Sequence, residues 1–177
     1  MRLFIGLDIA EPVRARVAEV IDRERAKVDA RWVRSESLHL TLIFFGELSA
    51  TRLPEIASAS KQTAARHAGF QLSLAGAGTF GPPLHPRVLW LDVGGALDPL
   101  QALVADLEAT LGVVSDPPKF VPHLTLARSQ VRNGDPMFID LARRLARKSF
   151  GSWDVDHFTV YQSAGGRYRA LETVALR

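Results

Sequence analysis

The chain has 177 residues, of which 47% are hydrophobic, a formal net charge of +3, and no cysteine. That length supplies apolar surface for the core of one domain, and the lack of cysteine excludes disulfide frameworks, thiolate-zinc centres and cysteine nucleophiles. A pI of about 9.7 reflects an arginine-rich basic set that favours a polyanion over a cation as partner.

The opening run Met1-Arg2-Leu3-Phe4-Ile5-Gly6-Leu7-Asp8-Ile9 is apolar, but Asp8 interrupts it and a charged segment follows. It therefore reads as a first core strand, unlike a signal peptide or a membrane span, and a cytoplasmic protein is expected. Pro12 suits the first turn of a helix, and Val13, Val17, Val20, Ile21 and Val28 draw an apolar stripe through the charged residues behind it. Alternation and turn residues place further strands at 38–45, 70–76, 87–93, 121–128, 153–162 and 168–176. Helical spacing predicts an Ala-rich helix over 53–67, a second over 97–111 ended by Gly112, and a third over 138–148. The mixture of helices with largely antiparallel strands predicts an α+β fold.

The tetrapeptide His-Leu-Thr-Leu occurs twice, at His39-Leu40-Thr41-Leu42 and at His123-Leu124-Thr125-Leu126, each inside a predicted strand. Strand side chains alternate between faces, so each copy puts an imidazole and a hydroxyl on one surface with leucines packed behind. The two histidines stand 84 residues apart, close to half of the 177-residue chain. Two structurally similar halves, related by an approximate two-fold axis, are expected. Facing each other, the two pairs supply a proton acceptor, a proton donor and two neutral hydrogen-bond donors, an arrangement suited to phosphate esters.

Other motifs give less. Each repeated histidine is paired with threonine rather than a carboxylate, and His67, His85 and His157 lack ligand spacing to the pair, so a metal centre is not expected. These three are read as surface or packing histidines. Gly76-Ala77-Gly78-Thr79-Phe80-Gly81 matches a dinucleotide-binding string, but Pro82 and Pro83 follow, and no helix can open there to receive a pyrophosphate. The segment is expected to be a loop between hairpin strands. Arg143, Arg144, Arg147 and Lys148 read as a solvated helix face.

The paired motifs, with Arg2-Leu3-Phe4-Ile5, Trp32-Val33-Arg34, Arg87-Val88-Leu89-Trp90 and the run from Pro122 to Arg128, resemble the two-histidine (2H) phosphoesterase superfamily. Within it the similarity is greatest to the RNA 2′,3′-cyclic phosphodiesterases, also called 2′-5′ RNA ligases, and it spans essentially the whole chain. The resemblance implies one domain over residues 1–177 made of two similar lobes, each with an antiparallel sheet and flanking helices, around a cleft lined by both motifs. It assigns His39 as proton donor and His123 as proton acceptor, roles that the symmetric motif alone leaves interchangeable. Thr41 and Thr125 would bind the phosphate oxygens, and no metal or other cofactor is implied. The implied partner is RNA with a 2′,3′-cyclic phosphate end, such as tRNA halves, acted on by a monomer away from membranes, with reverse ligation as a minor activity.

Phe4, Phe120 and Tyr168 are candidates for base stacking, each equally able to be core. Arg128 is a candidate phosphate or backbone contact, although its parity from His123 places it with the leucines unless the strand bulges. Family members often carry lysine where this chain has Ile43, which by parity shares the His39 and Thr41 face. An expected cation is thus missing there. Two alternatives stand beside RNA-end hydrolysis: a 2H phosphodiesterase acting on a small nucleotide or a 2′-5′ oligoadenylate, and an RNA-binding module without turnover.

Overall fold

A computed structural model describes residues 1–114 and 119–177. Strand β1 (Arg2–Asp8) leads into helix α1 (Glu11–Arg25), the short strand β2 (Ala30–Trp32) and strand β3 (His39–Glu47). Helix α2 (Leu53–Ala64) precedes strands β4 (Phe70–Phe80) and β5 (Val88–Gly95), then helix α3 (Leu97–Leu111) and strand β6 (His123–Ser129). Helix α4 (Met137–Leu145) and strands β7 (Ser149–Val155), β8 (His157–Ala164) and β9 (Arg167–Ala175) complete the chain. The strands form two antiparallel sheets, one ordered β3-β1-β8-β9 and the other β2-β6-β5-β4-β7. The α+β, two-lobed architecture is the one expected.

The helices form for the reasons legible in their residues. Pro12 lies in the first turn of α1, where a missing amide hydrogen costs nothing. Leu100, Leu103, Val104, Leu107 and Leu111 bury one stripe of α3, and Gly112, at φ +64°, ends it in the left-handed conformation. Both sheets and their helices share one apolar core, in which Phe138 and Phe158 are wholly buried. Removing such a side chain from water stabilises the fold by about 1.5–3 kcal/mol. Among the described residues no helix is long and apolar enough to cross a membrane.

The two motif strands sit in matching frames. His39 pairs with Asp8 and Thr41 with Gly6 across β1, while His123 pairs with Asp92 and Thr125 with Trp90 across β5. Each partner in the second half follows its counterpart by the same 84 residues that separate the histidines. The match includes a defect: Leu42 is skipped in the first ladder and Leu126 in the second, so each motif ends in a β-bulge.

Three sequence expectations need correction. Residues 153–162, read as one strand, belong to two, because the chain breaks at Asp156 and passes from β7 beside β4 to β8 beside β1. The glycine-rich segment from Gly76, read as a loop, continues β4 through a register irregularity after Leu74 and keeps pairing with β5 as far as Phe80. Strand β2, only three residues long, went unseen because its Ala30-Arg31-Trp32 is too short to show alternation.

Candidate active site

The bulges decide what reaches the cleft. An extra residue at Leu42 turns Ile43 inward, so that both are only 3% exposed, and Phe44 emerges on the cleft side 55% exposed. The parity that put Ile43 beside His39 and Thr41 is therefore wrong, and a lysine at that position would have met the core. The same defect after Leu126 buries Ala127 and turns Arg128 out into the cleft. Arg128 and Phe44 thus occupy equivalent places in the two halves.

A cavity of about 600 Å³ is lined by His39, Thr41, His123, Thr125 and Arg128 together with Phe4, Arg2, Arg31 and Tyr168. The two distant motifs meet in one groove, with their threonines beside them. Each imidazole is held in the same way: Nδ1–H donates to the carbonyl two residues earlier, Ser37 for His39 and Val121 for His123, both at 2.8 Å. Carbonyl oxygen only accepts, so Nδ1 keeps its hydrogen and the exchangeable position is Nε2 in both rings. Nε2 of His39 also lies 3.0 Å from the Thr41 hydroxyl.

Aromatic rings fix the imidazoles from behind. Phe4, 3% exposed, lies 4.7 Å from the His39 ring and packs on Tyr161 and Tyr168 as well. Its surface is used by neighbours, which makes it a support rather than a stacking platform. Tyr168, 37% exposed, meets His39 edge-on at 4.9 Å and keeps a face toward the cleft. Phe120 is partly buried and lines an adjoining apolar cavity of about 720 Å³ that shares Thr41, Phe44 and His123 with the groove. Phe80, read from the sequence as loop, is edge-on to His123 at 4.9 Å and touches Trp90.

Both imidazoles are pushed below the ordinary value, chiefly by burial, which disfavours the charged ring. The Ser37 carbonyl and the Asp8 carboxylate pull His39 back up, while His123 and Arg128 press it down. His123 has the Val121 carbonyl pulling up and Arg128 pressing down, with no carboxylate among the described residues acting on it. Asp8, unforeseen in the sequence reading, also accepts the Tyr161 hydroxyl at 2.5 Å and lies 3.5 Å from His157 Nε2. Burial, with Asp8 beside it, pushes the Tyr161 hydroxyl far up, so it remains a donor.

The remaining histidines stay outside the groove. His67, just past α2, pairs with Asp106 of α3 at 2.9 Å, and the Arg66 guanidinium bound to the same carboxyl, with His67 beside it, holds Asp106 down at about 2. His157 bonds Asp156, and His85 lies in the turn after β4. Among the described residues no cluster of three or more His, Asp or Glu side chains could hold a metal ion.

Residues 11–167 match the family model described as the 2′-5′ RNA ligase superfamily. The chain belongs to that superfamily. Among its relatives, an Archaeoglobus fulgidus protein named RNA 2′,3′-cyclic phosphodiesterase is 32% identical over 165 residues, covering 92% of this chain and 91% of its own. The Thermus thermophilus protein TT0787 superposes with a TM-score of 0.79 at 28% identity, over 100% of this chain and 98% of that one. E. coli LigT complexed with 3′-AMP gives 0.77 at 28% identity, over 99% and 97%. This superfamily member therefore shares its two-lobed fold with relatives along its whole length.

Gly6 keeps the first motif in place, because a β-carbon there would stand 2.9 Å from the Leu40 carbonyl oxygen and 3.3 Å from the His39 ring. Gly6→Val is expected to displace that ring and lower kcat on the order of 10²-fold, the effect of misplacing a reacting group by about 1 Å. Kinetics read alongside a melting curve check it: wild-type kcat in the folded variant would show that the ring tolerates the shift.

Proposed function

We propose that this protein hydrolyses RNA 2′,3′-cyclic phosphate ends to 2′-phosphomonoesters by metal-independent acid-base catalysis, residues 1–177 acting as a single domain of two similar lobes. The observation that carries the reading is the pair of imidazoles in one groove, each anchored through Nδ1 to a backbone carbonyl and so limited to Nε2 for proton exchange. Binding alone needs no such matched pair. Relatives named RNA 2′,3′-cyclic phosphodiesterase support the substrate class, and a LigT structure complexed with 3′-AMP supports a ribonucleotide phosphate as ligand.

In this mechanism His123 Nε2 takes a proton from water as the water oxygen bonds to phosphorus. The bond from phosphorus to the ribose 3′ oxygen breaks, and His39 Nε2 gives that oxygen its proton, leaving a 2′-phosphate and a free 3′ hydroxyl. The charges nearby support this division of labour. Arg128 favours the neutral form of both rings, but Asp8 favours the protonated form of His39 alone, as a donor needs, and leaves His123 to the neutral form that an acceptor needs. Thr41, Thr125 and Arg128 hold the non-bridging oxygens, where negative charge grows. Reverse ligation, with a ribose hydroxyl in place of water, is a minor activity because ring strain and abundant water favour hydrolysis.

A product assay on oligonucleotides such as tRNA halves ending in a 2′,3′-cyclic phosphate, resolving 2′- from 3′-monophosphates, tests the reading. The expected product is the 2′-phosphate, formed at the same rate after exhaustive chelation. A rate that falls on chelation and returns with added metal would overturn metal independence, and a 3′-phosphate product would overturn the assigned leaving oxygen.

A further inference from the structure

We propose that Arg31 and Arg128 form a second phosphate subsite, which takes the phosphodiester on the 5′ side of the terminal nucleotide. This deepens the reading of the groove as a site for RNA cyclic-phosphate ends and rests on it. Arg31 of β2 stands directly opposite Arg128 of β6 in the antiparallel ladder, and both exposed side chains line the groove. Like charges in opposed positions destabilise a strand pair. Neither guanidinium has a carboxylate partner among the described residues, whereas Arg34, Arg52 and Arg66 are paired with Glu36, Glu55 and Asp106. Two opposed, unpaired cations in a groove are relieved by an anion lying between them.

Arg128 also reaches toward the phosphate held by the histidines, since its charge acts on both rings, so it stands between that phosphate and the second one. Arg31 belongs to the next strand outward, roughly 4.8 Å farther across the sheet, and has no comparable influence on either ring. It therefore addresses an anion beyond the reacting one. A cyclic mononucleotide has no such anion, but an RNA end carries it on the 5′ oxygen of its last nucleoside. The adjoining cavity with Phe80 and Phe120 is largely apolar and offers a lone cationic side chain, Lys119, among the described residues, whereas the groove sets two guanidinium groups opposite each other. The Arg31–Arg128 pair thus makes the enzyme sense that the cyclic phosphate terminates a chain.

Calorimetric titration with adenosine 2′-monophosphate and adenosine 2′,5′-bisphosphate, at fixed salt, measures the subsite without turnover. Wild type is expected to bind the bisphosphate about tenfold or more tightly, the worth of one charge-assisted contact. R31Q is expected to lose most of that advantage and R31K to keep part of it, while the salt dependence of bisphosphate binding weakens in R31Q by about one ion. R31Q should melt no lower than wild type, because it relieves a repulsion. An advantage under about twofold, or one that survives intact in R31Q, overturns the subsite. If the bisphosphate advantage holds but no cyclic-phosphate substrate is hydrolysed, the proposed reaction fails and the subsite stands; hydrolysis without the advantage is the reverse.

Discussion

His123→Ala and His39→Ala are each expected to lower hydrolysis of a cyclic-phosphate-ended oligonucleotide on the order of 10²–10⁴-fold. The two losses should differ in their dependence on pH. In wild type the rate climbs as His123 loses its proton and falls as His39 loses its own, giving a bell for kcat/KM whose apparent values belong to the coupled pair. Burial holds both rings of the free enzyme below the ordinary imidazole value of 6.5, so the bell is centred on the acid side of that value. His123→Ala removes the limb that rises with pH, and His39→Ala removes the limb that falls. Swapped limbs would exchange the donor and acceptor, and unimpaired variants would end the two-histidine mechanism.

Thr125→Val is expected to reduce kcat by about 10²–10³-fold, the cost of removing one donor aimed at developing charge. The Thr125 hydroxyl has no partner within the protein among the described residues, so substrate is what it can bind. Thr41 differs, because its hydroxyl lies 3.0 Å from His39 Nε2. Thr41→Val should therefore move the His39 limb of the pH profile as well as lowering the rate, whereas Thr125→Val should lower the rate with its limbs in place. Steady-state kinetics over a pH series separate the two. A Thr125→Val enzyme with wild-type kcat would remove the hydroxyl from the phosphate.

The site was legible in the sequence to the extent that it follows strand alternation. His39, Thr41, His123 and Thr125 face one way because a two-residue period puts them there, and doubling the tetrapeptide singled them out from ordinary strand residues. Alternation fails where a residue is inserted, and neither Leu42 nor Leu126 looks like a bulge, since each is an apolar residue in an apolar run. That is why Ile43 was placed on the wrong face and why Arg128 was left open. Phe80 and Asp8 were missed for a different reason. Asp8 reaches His39 through the β1–β3 pairing and Phe80 reaches His123 through β4–β5 and then β5–β6, and no local spacing encodes the long-range pairings of β1 with β3 or β5 with β6.

The matched bulges also bear on the direction in which the proposed substrate would lie. A cradle with two interchangeable ends would accept a ribose phosphate forwards or backwards, and a backward one would offer its leaving oxygen to the ring meant for water. At the corresponding places just past the bulges the molecule carries a phenylalanine, Phe44, at one end and an arginine, Arg128, at the other. One apolar terminus and one cationic terminus distinguish two otherwise corresponding motif frames, so under the proposed reaction an anionic ligand finds a charged partner past one bulge and a ring past the other.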